Sequence, residues 1–406
     1  MSAKASRYWV GLVMLTASLA TSLPAAEAWV DVTTLAGERV AGSLKSWEAT
    51  RLVVEGETAR EVPMAEVLSI RFPRHVRRLA TGRCVVLVNG DRFAADPVRS
   101  RDEQLTATWT HAPLRPELSF PLEHVAALVF AAPPGPAEFG DTLAALHRAA
   151  SGIDTVRLIA GDNLTGEFQQ LDGGLLELKA AVGSLKLDRS RVRWLALDPE
   201  LGSFPKPAST HWIAFLTDGS RITATDCQPR TDFTVQLSLA GGRLVAIPRH
   251  EISRLQRISK QSIPLSERAP KEVKQQPYLS GQQELVRDRS AGGSPLFVRS
   301  EEFALGLGMR SRMSASYDIG SNDRWFQSGV AIDDAAGGRG SARFRIELDG
   351  IEAWASGEVT GHSELIATPR IDLTGHRVLT LSVEFGERGD VGDLADWCDP
   401  LLIRSR

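Results

Sequence analysis

The chain has 406 residues, with 47 Lys and Arg against 50 Asp and Glu, a formal net charge of −3 at pH 7. This balance gives no electrostatic reason to bind nucleic acid or an anionic membrane surface. The length exceeds what one hydrophobic core usually fills, so two or more domains are expected. Cys84, Cys227 and Cys398 lie far apart, lack zinc-ligand spacing and cannot all pair; they read as small buried apolar side chains.

The chain opens on Arg7 followed by an apolar run from Tyr8 to Leu23, and Ala26-Glu27-Ala28 has the small-x-small form of a cleavage site. Residues 1–28 are therefore expected to be a secretory signal peptide. A membrane anchor would need roughly 20 apolar residues, whereas this run is interrupted by Thr16, Ser18, Thr21 and Ser22. No Cys follows for lipid attachment, and no later segment could span a bilayer. The mature protein is expected to be secreted or periplasmic.

An internal repeat follows. Four times the chain runs strand, glycine turn, strands, and a closing signature of apolar-Pro-x-x-x-apolar-x-x-apolar. The turns are Ala36-Gly37-Glu38, Asn89-Gly90-Asp91, Ala160-Gly161-Asp162 and Asp218-Gly219-Ser220. The closing segments are Val62-Pro63 with Val67 and Ile70, Phe120-Pro121 with Val125 and Leu128, Leu187-Asp188 with Val192 and Leu195, and Ile247-Pro248 with Ile252 and Leu255. Asp188 replaces the proline in the third copy. Proline here suits a sheet edge or the first residue of a strand, where no ladder N–H is needed. Each copy has the length and strand order of a small five-stranded barrel, and in pattern resembles SH3-like or Sm-like barrels. Units this short bury little surface alone, so the copies are expected to pair and share cores. Copies 1 and 2 occupy 29–133 and copies 3 and 4 occupy 156–259. Between them, 134–155 reads as a Pro-rich linker with one short helix from Asp141, which would cap it, to Ala150.

Residues 260–276 are polar, carry Pro264 and Pro270, and read as a second linker. The stretch from Tyr278 to Phe297 reads as a lead-in to a module that fills the remainder of 277–406. In that module Phe344, Ile346 and Leu348 alternate with Arg343, Arg345 and Glu347, the period-2 pattern of a strand with one buried face. Asp349-Gly350 then suits a tight hairpin, and Leu379, Leu381, Val383 and Phe385 repeat the alternation. Short strands at this spacing indicate a sandwich or barrel. The fold expected of the whole chain is all-β: serial barrel-like repeats, then a β-sandwich of jelly-roll type.

Several segments of the module also carry a family likeness. Gly306-Leu307-Gly308-Met309, Ser314-Ala315-Ser316-Tyr317-Asp318, Gly329-Val330-Ala331-Ile332-Asp333-Asp334, Asp349-Gly350, Ile371-Asp372-Leu373-Thr374-Gly375 and Asp393-Leu394-Ala395-Asp396-Trp397 together resemble the NPCBM carbohydrate-binding modules. Arg310 stands where members more often have histidine. The resemblance implies a β-sandwich on a secreted protein, with glycan or polysaccharide as partner.

Sugars offer C–H faces to aromatic rings and hydroxyls to paired polar groups. Trp325, in the polar run from Ser321 to Arg324, is expected to be exposed, and Arg310, Asn322, Asp323, Arg324 and Asp393 are the polar candidates beside it. Trp354 and Trp397 read as core residues. Hard oxygen ligands clustered in loops bind Ca²⁺, and related sandwiches carry calcium, so Asp333, Asp334 and Asp396 are candidate ligands.

Catalytic chemistry is harder to find. Adjacent strand residues point to opposite faces, so Asp333 and Asp334 make a poor acid–base pair for glycoside hydrolysis. Gly361-His362-Ser363-Glu364-Leu365 lacks the final glycine of a nucleophile elbow. The eight histidines form no metal-binding spacing. Asn163-Leu164-Thr165 fits a glycosylation sequon but reads better as a hairpin shoulder. The leading reading is a secreted, non-catalytic glycan-binding protein with the repeats as spacer or protein-interaction units. The second is a cell-envelope structural or assembly protein, with envelope proteins as partners and a module that no longer binds sugar. A hydrolase accessory or hydrolase comes third.

Overall fold

The computed structural model describes residues 28–73, 82–110, 116–131, 136–149, 151–231, 233–277, 283–387 and 389–405. The expected signal segment up to residue 27, Pro133 and Pro134 of the first linker, and the start of the lead-in at Tyr278 lie outside the described residues. Among the described residues the fold is almost entirely β, and no helix is long and apolar enough to cross a membrane.

Each repeat copy closes on itself in the same way. In the first, Trp29–Thr34, Arg39–Trp47, Arg51–Glu55 and Ala59–Pro63 pair in succession, and the fifth strand, Val67–Arg71, returns to pair with the first. The third and fourth copies repeat this from Asp154–Leu158 to Val192–Ala196 and from His211–Leu216 to Ile252–Ile258. The second, Cys84–Leu87 to Val125–Val129, differs in that Ala94 breaks its second strand into Arg92–Phe93 and Ala95–Arg101. Every first turn is made identically: the glycine N–H donates three residues back, and Gly37, Gly90, Gly161 and Gly219 have φ of +78°, +83°, +108° and +88°. Only glycine adopts these angles without strain.

The closing signature builds a short turn. Pro63, Pro121 and Pro248 end the fourth strand of their copies, which pairs on one side only. The edge position is as expected, but the prolines stand last in their strands, not first. The reason is the tight turn that follows, a one-turn 3₁₀ segment after Pro121 and Pro248. At φ of −54° and −56°, Pro121 and Pro248 enter Leu122–His124 and Arg249–Glu251 with the angle the ring imposes. Asp188 does the same work by other means: at φ −66° its carboxylate accepts the Ser190 N–H at 2.8 Å, capping Arg189–Arg191.

The apolar residues of that signature then join the barrels. The fifth strands pair antiparallel across copies, Ile70 opposite Leu255 and Leu128 opposite Leu195. Copy 1 thus pairs with copy 4 and copy 2 with copy 3, and one core runs through all four. The helix between copies 2 and 3 spans Pro136–His147. Asp141 therefore lies inside it and does not cap it, because Pro136 already suits a first helical turn.

The C-terminal part is a sandwich. One sheet runs in the order Val286–Arg287, Gly306–Met309, Ala395–Arg404, Asp323–Ile332, Ile366–Ala367; the other in the order Glu272–Gln275, Met313–Asp318, Val378–Phe385, Ser341–Leu348, Ile351–Ala355. Asp349 and Gly350, at φ +50° and +83°, make the expected hairpin. Between the sheets lie Tyr317, Phe326, Phe344 and Trp397; Trp397 is fully buried and edge-on to Phe344 at 5.3 Å.

Residues 260–276 are not a tether. Ser262–Pro264 pairs with Leu401 to Ile403, Leu265 is fully buried in the sandwich core, and Glu272–Gln275 is an edge strand. An edge strand with one solvated face has the same polar composition as a linker, and that is why the two look alike in sequence.

The two parts are also locked together. Leu296–Val298 and Glu301–Phe303 form a hairpin wedged between barrels and sandwich. Glu302, fully buried, accepts from Arg92 of copy 2 at 2.5 Å and meets Arg221 of copy 4 at 3.5 Å.

Candidate functional site

The sequence candidates fall into groups that the structure keeps apart. Asp323 pairs with Arg404 at one end of the long central strands, while Met309 and Ile332 both pair with Ala395 at the other. A ten-residue strand spans roughly 30 Å. Asn322, Asp323, Arg324 and Trp325 are therefore at one end, and Arg310, Asp333, Asp334 and Asp393 at the other.

At the first end, Trp325 is half-buried, not exposed. Arg370 lies over its ring at 4.5 Å and Arg324 at 5.6 Å, and it packs beside Leu68 of copy 1 with Leu401 and Ile403. Arg370 also donates to the Ala36 carbonyl at 2.6 Å. The expected sugar platform is thus part of the seam between barrel and sandwich. Asp323 is buried; burial would raise its pKa, but donors from Arg268, Gly320 and Arg404 at 2.7, 2.8 and 3.1 Å hold it below the ordinary carboxylate value. Asn322 and Arg324 remain exposed.

At the second end the carboxylates are occupied as well. Asp393 is fully buried and accepts from the Ser311 hydroxyl and the Ser341 N–H, with Arg310 the favourable charge nearby. The calcium candidates hold the wedge hairpin. Asp333 accepts from the N–H groups of Phe297 and Ala335, and Asp334 from those of Arg299 and Ser300 at 2.9 and 2.6 Å. Arg299 and Ser300 have φ of +52° and +65°, so Asp334 stabilises a turn that these residues adopt reluctantly. Asp396 is fully buried, receives no N–H or hydroxyl donor, and faces the Asp333 carboxyl. Burial and then the Asp333 carboxyl push the Asp396 pKa well up, and burial, helped by the Asp334 charge, raises that of Asp333. Neither can meet a substrate, and among the described residues no three His, Cys, Asp or Glu side chains are placed to hold a metal ion.

The seam contains what the candidates lack: an open cleft. It has a volume of about 480 Å³ between copy 1, copy 4, the wedge hairpin and the sandwich. Its back wall is a charge network. Arg254 lies between the rings of Phe215 and Phe303 at 4.6 and 4.8 Å and reaches Glu301 and Asp399, both at 3.1 Å; Gln256 donates to Asp399 at 2.9 Å. Arg71 also pairs with Glu301, and Arg39 with Asp31. Toward solvent stand Arg39, Gln327 and the Arg299–Glu364 pair at 3.2 Å. These residues come from four parts of the fold, copy 1, copy 4, the wedge hairpin and the sandwich, and from more than four segments distant in sequence. A sequence signal lay at Arg254-Leu255-Gln256, where two polar residues flank a core leucine and all three are buried.

Residues 262–403 match the NPCBM/NEW2 domain family, beginning inside the segment expected as a linker and agreeing with the strand pairing there. No curated protein matches the chain. Among solved structures, a CBM51 from Clostridium perfringens GH95 in complex with methyl-galactose is 23% identical, over 35% of this chain and 99% of that one, with a TM-score of 0.32. CBM51-2 with GlcNAc and INT domains from Clostridium perfringens ZmpB is 19% identical over 42% of this chain, which spans 36% of that one, again at 0.32. The tandem CBM51 modules of Sp3GH98, a family 98 glycoside hydrolase from Streptococcus pneumoniae, are 11% identical over 64% of this chain and 90% of that one, at 0.31. The family to which the sequence of the C-terminal module pointed is the family its residues 262–403 match: an NPCBM/NEW2 domain.

Proposed function

We propose that this chain is a non-catalytic, extracytoplasmic glycan-binding protein, and that the cleft between copy 1 and the sandwich holds the glycan. The observation that carries the reading is a family match over residues 262–403, which fold as the two-sheet sandwich. Arg39, Gln327, Arg299 and Glu364 supply the paired donors and acceptors that sugar hydroxyls require, against a wall kept rigid by Arg254. In this reading the barrels are one wall of the site, not a flexible spacer.

Presenting full-length protein to arrays of galactose-, mannose- and glucosamine-based glycans tests this directly. Reproducible hits are expected, with Arg39→Ala combined with Gln327→Ala weakening them by about tenfold or more, the loss of roughly 1.4 kcal/mol. Hits that survive this double change would move the site away from the cleft. A blank array would sink the glycan reading. No bound glycan should lose reducing ends on incubation; turnover would replace the binding reading with a hydrolase.

One observation favours the second reading, a cell-envelope assembly protein. Trp325, the ring best placed in sequence for sugar stacking, is committed to Arg370 and copy 1. A blank array together with capture of envelope protein by the barrels would select it.

A further inference from the structure

A second cavity, of about 330 Å³, lies where copy 2, the helix and the segment after Asp288 meet. Its walls are largely apolar, from Val86 and Val88 of copy 2, Leu143 and Leu146 of the helix, Leu197 and Pro295. Three guanidinium groups border it: Arg92, Arg221 and Arg289. Arg92 and Arg221 are committed to Glu302. Among the described residues Arg289 makes no ion pair, and its one hydrogen bond, from Nη1 to the Gly293 carbonyl, is 3.5 Å long, at the outer limit of such bonds. Burial, then the repulsion of Arg221, offset in part by Asp288, brings its pKa down to about 10. Asp288 itself accepts from the Gly306 N–H at 3.0 Å. At the mouth, His147 is pushed below its ordinary value by burial and by Arg289 and Arg148. A half-buried cation without a partner is costly, and the guanidinium fork matches a carboxylate with two parallel bonds.

We propose that this cavity binds a small carboxylate with a compact, weakly polar body, anchored on Arg289. The volume suits one ring-sized molecule. The apolar walls favour a body that buries carbon, which selects against fully hydrated inorganic anions. The site is separate from the cleft, so it stands whether or not glycan binds there. An occupant would touch barrel, helix and sandwich at once and stabilise all three by mass action.

The test uses full-length protein, calorimetric titration and thermal shift, with benzoate, glucuronate and inorganic sulfate as ligands. Benzoate or glucuronate is expected to bind and raise the melting temperature, and sulfate to bind more weakly. Arg289→Gln should weaken the carboxylate by about tenfold or more, with Arg289→Lys recovering part of the loss. If Arg289→Gln does not fold, Ala149→Trp, which fills the cavity from the helix side, should abolish binding instead. No carboxylate binding at about 10 mM, where a weak site would still register, overturns the proposal. So does sulfate binding as tightly as either carboxylate, or binding indifferent to both Arg289→Gln and Ala149→Trp.

Discussion

The barrels and the sandwich both bury carboxylates, but only the barrels repeat their turns. In the barrels the first turn is one solution used four times, and the closing turn keeps its position while proline gives way to Asp188. The core is apolar, and the buried charges lie at its margins: Arg92 and Arg254 at the seam with the sandwich, and Asp31, Asp91 and Asp154 in the barrels, Asp91 accepting from Thr223 of copy 4. The sandwich carries Asp323, Asp333, Asp393 and Asp396 inside itself, none more than 5% exposed. The difference teaches that repetition separates a structural residue from a functional one, because a role seen four times is a role in folding. A single-copy domain offers no such control.

The largest expected effect would break the comparison at its seam. Glu302→Ala leaves Arg92 and Arg221 buried and facing each other. Removing one partner of a buried ion pair costs about 3–5 kcal/mol, a large share of a domain's stability. Calorimetry of the full chain should show one cooperative transition in the wild type and a lowered, broadened or split one in the variant. Two independent transitions already present in the wild type would mean that barrels and sandwich fold separately and that the seam contributes little.

A smaller, pH-dependent effect sharpens the sandwich side. Burial and proximity raise the pKa values of Asp333 and Asp396 above the ordinary 3.8. The folded state therefore holds more protons than the unfolded state above that value, and stability falls as pH rises through the raised pKa values. Asp396→Asn supplies a neutral amide that can donate to Asp333. It should stabilise the protein at pH 8, with the gain fading as pH falls toward 4. The other charge acting on this pair is Asp334, which is acidic and reinforces the sign. A variant less stable than wild type at pH 8 would show that the pair is not protonated in the fold.

These two cases show what the sequence could carry. Strand periodicity, glycine turns, the repeat and the family of the module were all legible, because each depends on local pattern. The ligand candidates were less so. Asp334 reads as a loop carboxylate open to a metal, yet its oxygens take the N–H groups of Arg299 and Ser300, over thirty positions earlier in the chain. Trp325 sits in a polar run, yet its cover comes from Arg370 and Leu68. Exposure at such positions is decided by which distant segment docks there, and no local pattern records that. The segment at 260–276 misled for a related reason: an edge strand and a linker share a composition.

The smallest effect tests the barrel rule itself. If Asp188 substitutes for proline as the entry to the 3₁₀ turn, Asp188→Pro should be tolerated, since φ is already −66° and the equivalent residues Pro121 and Pro248 pair in the same edge-strand position. Asp188→Ala should lose the Ser190 cap and lower the melting temperature by about 2 °C, as expected of one exposed cap in a domain this large. The pH dependence separates the two. The hydroxyl and N–H of Ser190 hold the Asp188 pKa below its ordinary value, so the cap contributes above that value and is lost as pH falls through the lowered one. The deficit of Asp188→Ala should accordingly vanish in strong acid, while Asp188→Pro, which fixes the turn without a charge, should show none of that dependence. An alanine variant as stable as wild type at neutral pH would mean that the fifth strand's pairing alone sets the turn, and that the four closing signatures are alike for packing and not for capping.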